Sequence, residues 1–123
     1  MRQENVQFFT ENEENFVNLL IEIGIRKTVA TVLVFLINAP EATSREIERG
    51  TDLRQPEVSN AIKYMTEQGW IKHREIPAEK KGRPVKKYSL GIPAKEIMAA
   101  LEQAKKDEVK NQLARIRKMR DYL

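Results

Sequence analysis

Between Thr43 and Gly69 the sequence starts two helices and leaves only Thr51-Asp52-Leu53-Arg54 to turn between them. The first start, Thr43-Ser44-Arg45-Glu46, reads as a capping box with Thr43 as N-cap and Glu46 reaching back. Its helix is short, with Ile47 turned inward and Gly50 weakening the end. The second start is Gln55-Pro56, where proline is pre-set for a first helical turn. Val58, Ala61, Ile62 and Met65 follow at i, i+3, i+4 and i+7, one helical face, and Gln68-Gly69 stops the run. Helices joined this tightly cross steeply, so residues 55–68 are expected to project from the body.

The flanking segments supply a core for this pair. Residues 26–38 are apolar nearly all round, through Val29, Val32, Leu33, Val34, Phe35, Leu36 and Ile37. Their β-branched content makes a strand the competing reading, but length favours a helix at the centre of the core. Pro40 ends it after Asn38-Ala39. Upstream, Phe16, Leu19, Leu20 and Ile23 share a helical face, with a start near Glu11 or Asn12 and an end near Gly24. Downstream, Trp70 to Ile76 alternates as a strand, with Trp70, Lys72, Arg74 and Ile76 on one face and Ile71, His73 and Glu75 on the other. Residues 77–84 form a polar turn, and Val85 to Leu90 the return strand. Ala94 to Tyr122 reads as one long helix. The fold class expected is mainly α with a small β-hairpin. The expected organisation is a helical extension over 1–25, a central domain over 26–91 and a long helix over 92–123.

Charge is distributed unevenly over this framework. Residues 1–25 hold one base and five acids, whereas Lys72 to Lys87 hold seven bases and only Glu75 and Glu79 as acids. Such a local excess suits a polyanion. Opposite the buried face of helix 55–68 lie Pro56, Ser59, Asn60, Lys63, Tyr64 and Glu67, with Arg54 and Gln55 at its start. On an isolated helix this would be an ordinary solvated surface. After a short capped helix and before a basic hairpin, it is the size and chemistry that enters the major groove, where each base pair shows its own donor–acceptor pattern. Ser59, Asn60 and Lys63 suit base edges and phosphates. Glu57 and Glu67 are expected at the edge of the contact or in local ion pairs. At the hairpin tip, Lys80, Lys81 and Arg83 flank Gly82, and Gly82-Arg83-Pro84 resembles the core of AT-hook motifs, which lay arginine along a narrow minor groove. Arg83 is then the groove residue, and Lys80, Lys81, Lys86 and Lys87 hold phosphates.

Residues 43–90 resemble the winged helix-turn-helix of MarR and TrmB-like regulators, especially archaeal ones. The similarity lies in "EIERGTDLRQPEVSNAIKYM", in "EQGWIKHRE" leading into the wing, and in "GRPVKKYSL" returning from it. The resemblance implies a winged helix-turn-helix domain with helical extensions, in which 55–68 is the recognition helix, Gly69 its terminator and 77–84 the wing. It implies double-stranded DNA as partner and transcriptional regulation as function. Two departures stand out: Asp52 where the family usually has glycine, which left-handed backbone tolerates, and Gln55-Pro56 in place of two small hydroxyl residues.

Other chemistries have little support. There is no cysteine and only one histidine, His73, so neither a metal site nor any other cofactor is expected. Glu13-Glu14 and Glu46/Glu48 lack a nucleophile and base, so no enzyme is expected. Trp70 and Tyr88 read as core aromatics rather than base-stacking ones, while Tyr64 sits at the edge of the exposed face. No run of apolar residues is long enough to cross a bilayer, and a cytoplasmic protein is expected. Two other readings are a protein-docking winged helix of the transcription machinery, which calls for an apolar recognition face, and an RNA-binding winged helix.

The long helix changes its apolar face along its length. Ile97, Leu101 and Ala104 share one stripe, and Val109, Leu113, Ile116 and Leu123 another, rotated by about a quarter turn. The shift suggests packing first within the chain and then on a second copy. Dimerisation is therefore expected through Phe16, Leu19, Leu20 and Ile23 together with Val109, Leu113 and Ile116. The basic residues of this helix, from Lys105 to Arg120, are expected to solvate its outer side.

Overall fold

The computed structural model describes residues 9–78 and 82–123. In chain order the elements are α1 (Glu11–Glu22), α2 (Lys27–Asn38), β1 (Ala42–Thr43), α3 (Ser44–Thr51), α4 (Gln55–Glu67), β2 (Ile71–Ile76), β3 (Val85–Leu90) and α5 (Ala94–Arg120). They divide into two compact units, Met1–Gly91 and Ile92–Leu123.

In the first unit α2 is the central element, and α1, α3 and α4 pack around it. Val29, Ala30, Val32, Leu33, Val34 and Leu36 are buried, and they meet Ile47 of α3 and Val58, Ala61, Ile62 and Met65 of α4 in the core. Among the described residues no polar or charged side chain is buried, so apolar burial drives the assembly of this unit.

α1 belongs to the same unit, and its buried face differs from the expected one. Val17 and Leu20 are buried and Phe16 is half-buried, but Leu19 is 61% exposed. Leu20 is therefore withdrawn from the expected dimerisation surface, because it lies on the stripe with which α1 packs onto α2. The helix starts at Glu11, as expected. Thr10 is the N-cap: its hydroxyl accepts from the Glu13 N–H at 3.1 Å, and the Glu13 carboxylate accepts from the Thr10 N–H at 2.8 Å.

The sheet has three antiparallel strands in the order β1-β3-β2. The β2–β3 hairpin pairs Ile71 with Leu90 and Ile76 with Val85. β1, which the sequence did not disclose, pairs Ala42 with Tyr88 and Thr43 with Lys87. It ties the start of α3 to the strand returning from the hairpin.

The second unit is α5. Ile97 is buried, whereas Val109, Leu113 and Ile116 are each about half exposed. Lys105 pairs with Glu108 and Lys106 with Glu102 along the helix itself. Among the described residues no helix is long and apolar enough to cross a membrane.

Candidate nucleic-acid interface

α3 and α4 form the expected helix-turn-helix. Thr43 caps α3: its hydroxyl accepts from the Glu46 N–H at 3.1 Å, and the Glu46 carboxylate accepts from the Thr43 N–H at 2.8 Å. The turn depends on Asp52, at φ 59° and ψ 30° in the left-handed region. Aspartate tolerates this conformation better than most residues. Gly50 does more than weaken a helix end. A Cβ at this position would stand 2.2 Å from Cε1 of Phe35, so glycine lets α3 lie directly against α2.

With Val58, Ala61, Ile62 and Met65 facing inward, α4 turns Arg54, Gln55, Pro56, Ser59, Asn60, Lys63 and Tyr64 to solvent. Glu57, the acid that would disfavour phosphate here, is turned back: its carboxylate accepts from the Arg54 N–H at 2.9 Å. The other acid of this helix, Glu67, lies at its last residue and is exposed. Tyr64 is held by its edge-on contact with the buried Trp70, with ring centroids 5.8 Å apart and planes at 84°. Trp70 is a core residue, as expected. It lies just before β2 and its N–H donates to the Met65 carbonyl, so Trp70 and Ile71 are both buried instead of alternating.

Beside this face lies a cavity of about 260 Å³ that brings Arg26, at the start of α2, together with Asn60 and Tyr64. Nothing local in the sequence marks Arg26 as a neighbour of residues some thirty positions away.

The hairpin sorts its cations by face, since successive strand residues point to opposite sides. Lys87 is paired with Arg74 across the strands, and Lys86 with Glu75. Arg74 is engaged by Glu41, donating from Nε to Oε2 at 2.6 Å and from its Nη2 to Oε1 at 2.9 Å. That guanidinium, helped by the charges of Lys87 and Lys72, holds the Glu41 carboxyl below the usual carboxylate range, against the opposing effect of its partial burial. The same bond raises Arg74.

Lys86 faces the other way. With Arg83 of the hairpin and Ser44 and Arg45 of α3 it lines a cleft of about 520 Å³. Arg83 and Lys86 are exposed, and Lys87 is half-buried. Lys80 and Lys81, expected at the tip, lie outside the described residues. His73 stacks at a tilt near Tyr88, with centroids 5.8 Å apart. Among the described residues no cluster of His, Asp or Glu is arranged to hold a metal ion.

A helical core built around α2, a helix-turn-helix with a polar, partly cationic outer face, and a β-hairpin returning through a three-stranded sheet define a winged helix-turn-helix fold. Residues 23–82 match the MarR family, so this part of the chain is similar to the winged helix of MarR-family proteins. No curated protein matches the chain in sequence.

The fold is also similar to that of several solved proteins. TrmBL2, an archaeal chromatin protein, superposes with a TM-score of 0.71 at 18% identity over 90% of this chain and 40% of its own length. A possible transcriptional regulator from Methanosarcina mazei Go1 gives 0.61 at 15% identity, covering 77% of this chain and 82% of that one. A MarR family regulator from Neisseria meningitidis gives 0.53 at 20%, covering 82% and 69%. The chain thus spans well under half the length of TrmBL2.

Proposed function

We propose that the protein is a homodimeric, sequence-specific regulator in which α4 reads the major groove while the hairpin reaches the minor groove and the phosphates. The observation that carries this reading is the outer face of α4. Eight residues from Arg54 to Tyr64 are exposed and together offer donors, acceptors and cations, and the one acid among them, Glu57, accepts from the Arg54 N–H. A docking module for protein would call for an apolar face here, and Tyr64 is its only large apolar group. TrmBL2, whose fold is similar, is described as binding DNA. In this reading Ser59, Asn60 and Lys63 meet base edges and adjacent phosphates, and Arg83 lies in the minor groove.

The dimer is supported by apolar surfaces that stay exposed among the described residues. Val109, Leu113 and Ile116 recur at i, i+4 and i+7 on α5, and each remains about half exposed. On α1, Leu19 and Ile23 are exposed and Phe16 is half-buried. A twofold assembly through these residues would present two copies of α4 to successive major grooves.

The test is a titration of a labelled duplex at several salt concentrations. Each phosphate contact releases counterions, so affinity should fall steeply with salt, by about 0.9 in log–log slope per contact. A flat response would remove duplex DNA as the ligand. Asn60→Ala should relax preference at one base pair by about 1–3 kcal/mol, while Arg83→Ala should weaken all duplexes alike. Competition with duplex RNA separates an RNA-binding winged helix from this reading.

A further inference from the structure

We propose that the cleft between the first turn of α3 and the hairpin is a seat for one sugar-phosphate strand of the duplex, and that Arg45 is a DNA-contacting residue. The inference rests on the reading above and extends it to an element outside α4 and the hairpin.

Three observations carry it. First, the cleft gathers three cations from two elements, Arg45 from α3 and Arg83 and Lys86 from the hairpin, with the hydroxyl of Ser44 beside them. No acidic side chain lines it among the described residues. Glu46, the nearest acid in sequence, is held on the Thr43 N–H. Glu75 stands opposite Lys86 in register but is not part of the lining.

Second, the two walls are fixed to each other by backbone. Thr43 is at once the last residue of β1, paired with Lys87 of β3, and the N-cap of α3. The side chains at 44 and 45 therefore start one and two residues from a strand pairing that also positions Lys86. The cleft is built by the fold and does not depend on a chance approach of long side chains.

Third, the cleft's place suits a strand. About 520 Å³ lies between the first turn of α3 and the residues that lead from the hairpin turn into β3, Arg83 to Lys86. In B-DNA one sugar-phosphate strand separates the major groove from the adjacent minor groove. A protein with a helix in the first and a hairpin in the second must take that strand between them. Any strand gripped by Arg83 and Lys86 runs past Arg45. A phosphodiester there meets guanidinium groups, whose forked donors match its oxygens.

The experiment uses the full chain and fluorescence anisotropy of two labelled duplexes of unrelated sequence, between about 50 and 200 mM salt. The variants are Arg45→Ala, Arg45→Lys, Arg83→Ala and, as a control of equal charge change, Lys118→Ala on the side of α5 away from its apolar stripe. Circular dichroism establishes that each variant folds; Arg45 is exposed, and its replacement leaves the Thr43–Glu46 cap in place. We expect Arg45→Ala to weaken both duplexes by a similar factor and to lower the salt slope by about one contact, so that the loss of affinity across this salt range shrinks about 3.5-fold. Arg45→Lys should keep the slope and lose part of the affinity. If Arg45→Ala matches Lys118→Ala while Arg83→Ala weakens binding, the strand seat is refuted and the regulator reading stands. If the unmodified chain shows no salt-dependent duplex binding, both fall.

Discussion

Replacing Gly50 with alanine should destabilise the protein, although alanine is the better helix former. In an open helix interior the exchange gains up to about 1 kcal/mol, and less so close to a C-terminus. Here the added methyl would stand 2.2 Å from Cε1, 2.8 Å from Cζ and 2.9 Å from Cδ1 of Phe35. Carbon atoms in contact prefer about 3.5–4.0 Å, so the ring or α3 must retreat by roughly 1.3 Å. Overpacking of this kind costs about 1–3 kcal/mol. The balance is a net loss of about 1–2 kcal/mol, or a fall of about 3–8 °C in Tm. Thermal unfolding followed by circular dichroism reads it directly, at one fixed protein concentration because self-association shifts Tm. A second arm identifies the cause. Phe35→Leu should be harmful alone but should recover part of the loss in the Gly50→Ala background, with a coupling of about 1 kcal/mol. A Gly50→Ala protein as stable as the parent, or more so, would refute the claim that close approach to Phe35 selects glycine here.

Other outcomes follow from the charge and the apolar surfaces. Glu41 titrates below its ordinary range because Arg74 is bound to it, so its contribution is present above the unfolded-state value and is lost as pH falls through the lower folded-state one. Glu41→Gln should flatten the acid side of a stability-versus-pH curve, and an unchanged curve would contradict the pairing. The same variant releases Arg74 and should raise duplex affinity and its salt dependence, as an anisotropy titration would show; weaker binding would argue that the pair orders the interface instead. Leu113→Glu keeps a good helix former while placing a charge in the exposed stripe of α5. It should shift sedimentation equilibrium toward monomer, and a variant that remains dimeric would exclude that stripe from the interface.

How much of this was legible in the sequence depended on whether the cause was local. The Thr43–Glu46 cap, the inward quartet of α4 and the bounds of β3 rest on spacings within a few residues, and each is found where the periodicity put it. β1 was not legible because two residues carry no alternation; it is a strand only through its pairing with β3, more than forty positions away. The stripe of α1 was misplaced by one position, because Val17 and Phe16 are both large and apolar, and only the packing on α2 decides between them. Gly50 read as a helix breaker, since the ring of Phe35 that fills its space comes from another helix. The cationic hairpin read as one patch. The structure divides it, because strand alternation separates Lys86 from Lys87, and Glu41 reaches Arg74 across 33 positions.

That division bears on how a chain with 18 acids and 22 bases can present a face to DNA at all. Net charge is a poor guide here, because what matters is where each carboxylate points within a Debye length of the ligand. Between residues 41 and 57 three glutamates are held in hydrogen bonds of the fold itself: Glu41 on Arg74, Glu46 on the Thr43 N–H and Glu57 on the Arg54 N–H. Two of these bonds close helix starts that need them in any case. The same bonds that set the angles of α3 and α4 thereby turn acids away from the residues that follow each cap, Ser44 and Arg45 in one case and Gln55 and Pro56 in the other. Removing either carboxylate would loosen the helix start, and leaving it unheld would set a negative charge beside the proposed phosphate contacts. The capping chemistry and the electrostatics of the interface are in this chain one arrangement.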